Sequence, residues 1–148
     1  MIFITSSPRN SLKIFQRFLP VYPPVGIGYL IAVLKEAGIS SVFFDEQVED
    51  NILKKIKNAT QNFEPPYIFA FSVLTAAFKN ALLLLGEVKK EYPESMIIFG
   101  GIHPTAMPEE VLAYSEIDIV VSGEAENIIT ELYLCLKTRK SFTRIPGI

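Results

Sequence analysis

Met96 to Phe99 form a short apolar run without a charge, and it stops at two adjacent glycines, Gly100 and Gly101. So short a run reads as a strand, and one with no polar side on either parity is covered on both faces. Only a sheet with a layer on each side supplies that cover, so the rest of the chain must build the layers. The glycines mark a place where backbone can approach a ligand, because no Cβ holds the other molecule away. They also fall at the carboxyl end of the strand, where open α/β sheets bind their ligands. His103, Pro104 and Thr105 then read as a polar loop. Pro108, Glu109 and Glu110 read as a helix start, with proline in the first turn and carboxylates at the positive end of the dipole.

The remaining chain alternates in the same way. Ile2 to Thr5, Ser41 to Phe44, Tyr67 to Phe71 and Ile117 to Val121 are further strand candidates. Between them lie helical patterns. Leu30, Val33, Leu34 and Ala37 form one stripe that Gly38 stops, and Val48, Ile52, Ile56 and Ala59 form the next. Ala77 to Glu91 places Phe78, Leu82 and Leu85 inward; Val111 to Tyr114 is the core of a short helix, and Glu126 to Lys137 buries Ile129, Leu132, Tyr133 and Leu136. A long loop with Arg9, Asn10, Pro20, Pro23 and Pro24 separates the first strand from the first helix, and a loop of that length suggests function. Strands alternating with helices imply βαβ units with right-handed crossovers. The expected fold is α/β: a flavodoxin-like (Rossmann-like) five-stranded parallel sheet of order 2-1-3-4-5, with helices on both faces.

With 148 residues the chain is long enough to bury one core, and its 49% apolar content suits a sheet covered on both sides. The net charge of −2, with Lys and Arg scattered, offers no basic footprint for nucleic acid. The single cysteine, Cys135, gives neither a disulfide framework nor a cysteine metal cluster. Met1 leads directly into an apolar strand without a basic n-region, which argues against a secretory signal. The apolar stretch from Tyr67 to Leu85 is broken by Ser72, Thr75, Lys79 and Asn80, which argues against a membrane span. A cytoplasmic protein is the expectation.

Four loops should meet at the carboxyl edge: Ser6 to Arg9, Ser72 to Thr75, Gly100 to Thr105 and Ser122 to Glu126. Ser72 and Thr75 either reach a polar ligand group or cap the following helix. Gly100 and Gly101 either admit a ligand or make a tight turn. Gly123, Glu124 and Glu126 either bind a ligand hydroxyl or amide or complement a helix dipole. His103 is the only histidine, too few for a zinc site made of protein ligands alone. Gly26 and Gly28 give G-x-G, but Ile31 stands at the third glycine position, so the dinucleotide fingerprint fails. No nucleophile is set beside a base, and no catalytic residue is assigned.

In combination, P-P-V-G-I-G-Y-L-I-A-V-L-K-E-A-G at 23–38, S-V-L-T at 72–75, G-G-I-H-P-T-A-M-P-E-E at 100–110, D-I-V-V-S-G-E-A-E at 118–126 and the terminal I-P-G-I resemble a known family. It is the N-terminal cobalamin-binding domain of radical SAM enzymes, which include methyltransferases and the anaerobic magnesium-protoporphyrin monomethyl ester cyclase type. The resemblance implies a cobalamin held with its dimethylbenzimidazole tail pulled away from cobalt and buried beside the sheet. On that analogy Ser72 and Thr75 face the tail, Gly100 and Gly101 let the fourth strand approach it, and Gly123 and Glu124 border the nucleotide. Ser6, His103 and Thr105 complete the implied cofactor-binding set, and no metal ligand is assigned.

The sequence departs from methionine-synthase-like domains, whose D-x-H-x-x-G loop after the first strand supplies a histidine to cobalt. Here the loop reads S-S-P-R-N-S, so no histidine can bind cobalt from there. The C-x-x-x-C-x-x-C that would hold a 4Fe-4S cluster is also absent. The resemblance therefore implies a binding module at 1–142, with 143–148 beginning a linker to a C-terminal radical SAM domain. S-adenosylmethionine and the 4Fe-4S cluster would be held there, for methyl transfer or cyclase chemistry. Exposed apolar surface on an isolated module would pair two copies into a homodimer. The competing reading is a stand-alone flavodoxin-like binder of FMN or another nucleotide, using Thr5, Ser6 and Ser7 on a phosphate. A phosphoacceptor receiver is set aside, because serines stand where it needs acidic residues.

Overall fold

The structure is a computed structural model and describes residues 1–7, 21 and 23–148. The expected proline-bearing loop, Arg9 and Asn10 included, lies mostly outside the described residues. Five parallel strands form one sheet in the order β2-β1-β3-β4-β5. They are β1 (Ile2–Thr5), β2 (Val42–Asp45), β3 (Ile68–Ser72), β4 (Met96–Gly100) and β5 (Ile119–Val120). The described helices are α1 (Val25–Glu36), α2 (Ile52–Thr60), α3 (Phe78–Glu91), α4 (Ile102–Ala106), α5 (Pro108–Leu112) and α6 (Ile129–Thr138). A 3₁₀ turn at Thr75–Ala77 leads into α3.

Alternation along each strand sorts the core into two layers. Ile2, Ile4, Phe69, Phe71, Ile97 and Phe99 point to the side covered by α2, α3 and α5, meeting Ile56, Phe78, Leu85 and Val111. Phe3, Ile68, Ala70, Ile98 and Val121 point to the side covered by α1 and α6, meeting Ile27, Leu34, Ile129 and Leu132. Both faces of β4 are buried at Ile97, Ile98 and Phe99, as an uncharged run requires. Each strand pairing is parallel, so every carboxyl end opens on the same edge.

Three local expectations shift. Val48 is exposed at 64% and belongs to a turn, because Asp45 gathers the amides around it. The backbone N–H groups of Val48 and Glu49 donate to the Asp45 carbonyl, and that of Gln47 to its Oδ1. The helix starts only at Ile52, after Asn51 turns left-handed at φ 55°. His103, Pro104 and Thr105 form α4 instead of a polar loop. Pro104 sits in its first turn, where a missing N–H costs nothing. β5 is shorter than the apolar run Ile117 to Val121, since Asp118 turns its carboxylate to the Ile97 N–H at 2.7 Å.

At the amino end of the sheet the structure is closed. The Met1 amine donates to the Ser40 carbonyl at 3.0 Å. Burial, with the Lys137 charge adding to it, pulls that amine from 8.0 down to about 5. Lys137 donates to the Glu64 carbonyl and, at 2.9 Å, to that of Pro66. No described helix is long and apolar enough to cross a membrane.

Candidate functional site

The carboxyl edge does not close in the same way. Between the sheet and the amino ends of α1 and α6 lies an open cleft of about 170 Å³. Its floor comes from the last inward positions of the strands: Phe3, Ala70 and Ser72, Ile98 and Gly100, and Val121. One wall is Pro24, Gly26, Ile27 and Leu30; the other runs from Gly123 to Glu126 and on to Ile129. Period-two geometry makes the opening. On this face β3 goes from Ile68 to Ala70 to Ser72, and β4 from Ile98 to Gly100, so side chains shrink toward the edge.

The two glycines of β4 and its turn are there for different reasons. Gly101 has φ +96°, and a Cβ would stand 2.9 Å from the Val73 nitrogen. Backbone hydrogen bonds lock that approach: the Val73 N–H donates to the Gly100 carbonyl at 2.9 Å, and the His103 N–H to the Val73 carbonyl at 3.0 Å. The fold alone therefore demands glycine at 101. Gly100 is not so constrained. A Cβ there would meet nothing nearer than the Val121 carbonyl oxygen at 3.7 Å, an ordinary contact. What its missing side chain leaves is room in the cleft.

Ser72, Gly100, Gly101, Gly123 and Glu124, all read from the sequence as site candidates, come together at this cleft. The others lie elsewhere. Thr75 is exposed at the 3₁₀ turn, and neither the turn nor α3 has a side-chain cap, so the capping alternative finds no hydrogen bond there. Thr105 supports the wall from behind: its Oγ1 accepts the Gly123 N–H at 3.0 Å. Ser6 donates to Glu46 at 2.9 Å, over β1 and β2. His103 is buried with its ring 4.2 Å from that of Phe78, among residues of the α3 side, and its Nε2 has no hydrogen-bond partner among the described residues. Glu126, whose carboxylate the sequence offered to a ligand, also lines the cleft, whereas sequence reasoning assigned no binding role to Gly26, Ile27, Leu30, Ala70 and Ala125, which line it too. The signal for Ala70 was present: one small residue in the large run I-F-A-F, in register with Ile98 and two before Ser72.

The lining is largely apolar, and its polar groups sit at the rim. Ser72 brings a hydroxyl that makes no hydrogen bond to another described residue, and Glu124 and Glu126 bring carboxylates. Among the described residues no group of histidine, cysteine or acidic side chains could hold a metal ion. An apolar slot with a few polar anchors suits a flat organic group with a polar attachment, not an ion or a bare phosphate.

An open parallel sheet with such a cleft at its carboxyl edge defines a cofactor-binding α/β domain. The B12 binding domain family model matches residues 13–133, and the chain belongs to that family, whose ligand is a cobalamin. It is 31% identical over 117 residues to the anaerobic magnesium-protoporphyrin IX monomethyl ester cyclase of Rubrivivax gelatinosus, a match covering 75% of this chain and 20% of the relative. The cyclase of the same description from Cereibacter sphaeroides is 29% identical over 113 residues, covering 75% of this chain and 18% of that protein. The chain thus spans about a fifth of the curated relatives it matches. Among solved structures, the radical S-adenosylmethionine methyltransferase TsrM from Kitasatospora setae, with cobalamin and a 4Fe-4S cluster bound, superposes with a TM-score of 0.75. The identity is 18%, covering 99% of this chain and 26% of that one. The flavodoxin-like sheet expected from the sequence is the observed fold.

Proposed function

We propose that this domain holds cobalamin base-off, with the dimethylbenzimidazole tail in the cleft between the sheet and helices α1 and α6. The observation that carries the reading is Gly100. Its glycine is not required by its neighbours, and its absent Cβ opens the floor of an apolar slot. Ala70 and Ile98 would lie against the face of the heterocycle, with Gly26 and Ile27 opposite. Ser72 and Glu124 would take the polar groups that join tail to corrin. When bound, cobalamin supplies a carrier for a methyl group or for electrons.

Cobalt is left without a histidine from this chain on the same reading. The sequence has one histidine, and His103 is packed against Phe78 away from the cleft lining. Cys135 is the only cysteine, so a 4Fe-4S cluster cannot be held by these residues. We place the domain beside a radical SAM domain of the same polypeptide, which would bind S-adenosylmethionine and the cluster for methyl transfer or cyclase chemistry. The support is the architecture of the relatives, in which the matched region is about a fifth of the chain.

The test is electron paramagnetic resonance of cob(II)alamin added to the purified domain. A base-off signal without nitrogen superhyperfine splitting is expected. A signal split by an axial nitrogen, from the tail or from His103, would refute the assignment.

A further inference from the structure

The wall of the cleft that follows β5 is held from three directions. β5 is an edge strand, and its last bond to the sheet is the Val121 N–H donating to the Phe99 carbonyl at 2.8 Å. One residue later the Ser122 N–H donates to the Gly147 carbonyl at 2.8 Å. One later again, the Gly123 N–H donates to Thr105 Oγ1 at 3.0 Å. Three successive amides thus have three different acceptors, and one of those acceptors lies 25 residues along the chain from its donor.

The segment that supplies it is built for close approach. Gly147 has φ +83°, and a Cβ on it would stand 2.8 Å from the Ser122 carbonyl oxygen, so any side chain would push the segment away. Pro146 restricts the preceding residue's freedom to swing. Ile145 is 5% exposed and is buried in the α1/α6 core layer with Ile129, Leu132 and Leu136. Its N–H donates to the Phe142 carbonyl at 3.0 Å, which closes the turn behind it. An apolar anchor and a backbone bond two residues later fix the segment at both ends. Neither Ile145 nor Gly147 lines the cleft; the segment's backbone bond to the cleft wall runs through Ser122.

We infer that residues 145–147 are a clasp that positions the 123–126 wall, coupling the cleft's grip on its ligand to the path of the chain beyond Gly147. The wall turns at Gly123, at φ +81°; the Ser122 and Gly123 amides hold its start, and its far end is held by the Ala125 carbonyl, which accepts the Ile128 and Ile129 N–H groups at 3.0 and 2.8 Å. Release of the clasp frees the Ser122 N–H and lets Gly123 and Glu124 move off the cleft. A domain attached after residue 147 would pull on this bond first. In this way its position is transmitted to the cofactor-binding wall.

The effect on ligand rests on the cobalamin reading, so the experiment has one arm with the corrinoid and one without. In the ligand-free protein, amide hydrogen exchange is compared between the native sequence and Gly147→Ala, with Leu85→Ala as the control that weakens the opposite core layer without touching the clasp. Faster exchange at 122–124 in Gly147→Ala, and not in Leu85→Ala, is expected. Hydroxocobalamin is then titrated into all three, and Gly147→Ala should weaken binding about tenfold, the loss of one hydrogen bond's worth of order. Leu85→Ala should bind as the native protein does. Unchanged exchange in Gly147→Ala overturns the clasp, whether or not corrinoid binds. Equal weakening in both variants also overturns it, because affinity would then follow stability alone. If native protein fails to bind corrinoid while exchange responds as expected, the ligand assignment falls and the clasp stands.

Discussion

The two faces of this sheet use the same strands to opposite ends. Toward α2 and α3 large side chains continue to the carboxyl edge: Phe71 and Phe99 lie 4.9 Å apart, and Phe78 packs edge-on to Phe99 at 6.4 Å. Toward α1 and α6 the side chains shrink to Ala70, Ser72 and Gly100, and the sheet stands clear of its helices. A covered parallel sheet needs only one well-packed face at that edge to hold its strands together. The other face is then free to be left open for a ligand, with its missing apolar contacts supplied on binding. The packed face should accordingly answer to stability measurements and the open face to ligand measurements.

Phe99→Ala should produce the largest effect. Removing a fully buried ring from the packed face should cost about 3–5 kcal/mol in denaturant unfolding. A cost below about 1 kcal/mol would mean that face is not what holds the strands. Gly101→Ala comes next. With φ +96° and a Cβ 2.9 Å from the Val73 nitrogen, it should lose about 1–3 kcal/mol of stability. Gly100, one residue before it, should behave in the opposite sense. Gly100→Ala meets only ordinary contacts, so stability should hold or rise by up to about 1 kcal/mol. Gly100→Leu should weaken corrinoid binding about ten- to hundredfold, by overpacking the cleft floor.

A smaller contrast separates the two ends of the α1/α6 face, closed at Met1 and open at Gly100. The Met1 amine has a folded-state pKa of about 5 against 8.0 for the free group. Between those values the unfolded chain carries a proton that the folded chain does not, so stability falls as pH drops from 8 toward 5 and is fully present above 8. Denaturation midpoints across that window should show the slope, and acetylation of the α-amine should remove this contribution. A native slope that acetylation leaves unchanged would show that the amine is not buried as described.

Much of this was legible in the sequence because it is local. Short uncharged runs and helical stripes gave five strands in the order found, with β3 and β4 displaced by a residue or less at their ends. The G-G pair marked the edge, and Gly100, Gly101, Ser72, Gly123 and Glu124 do meet there. What escaped depends on contacts between distant segments. That Gly101 serves backbone packing while Gly100 leaves space follows from where Val73 and Val121 lie. Thr105 and His103 are consecutive on α4 save for Pro104, yet one braces Gly123 and the other packs on Phe78. The α1 wall was missed because Gly26 was weighed, with Gly28, against a dinucleotide motif, and no local pattern shows that a helix end forms a slot. The clasp is the extreme case, since Ser122 and Gly147 meet only in three dimensions.

The central claim is that the cleft receives the nucleotide tail, and the ratio of affinities for cobalamin and for cobinamide, a corrinoid without that tail, measures it. Burying roughly 100 Å² of heterocycle at ~25 cal/mol per Å² corresponds to about 2.5 kcal/mol, or nearly a hundredfold. Cobalamin should bind the domain tighter by about that factor, and Gly100→Leu should bring the two affinities together. Equal affinities in the native protein would contradict the account.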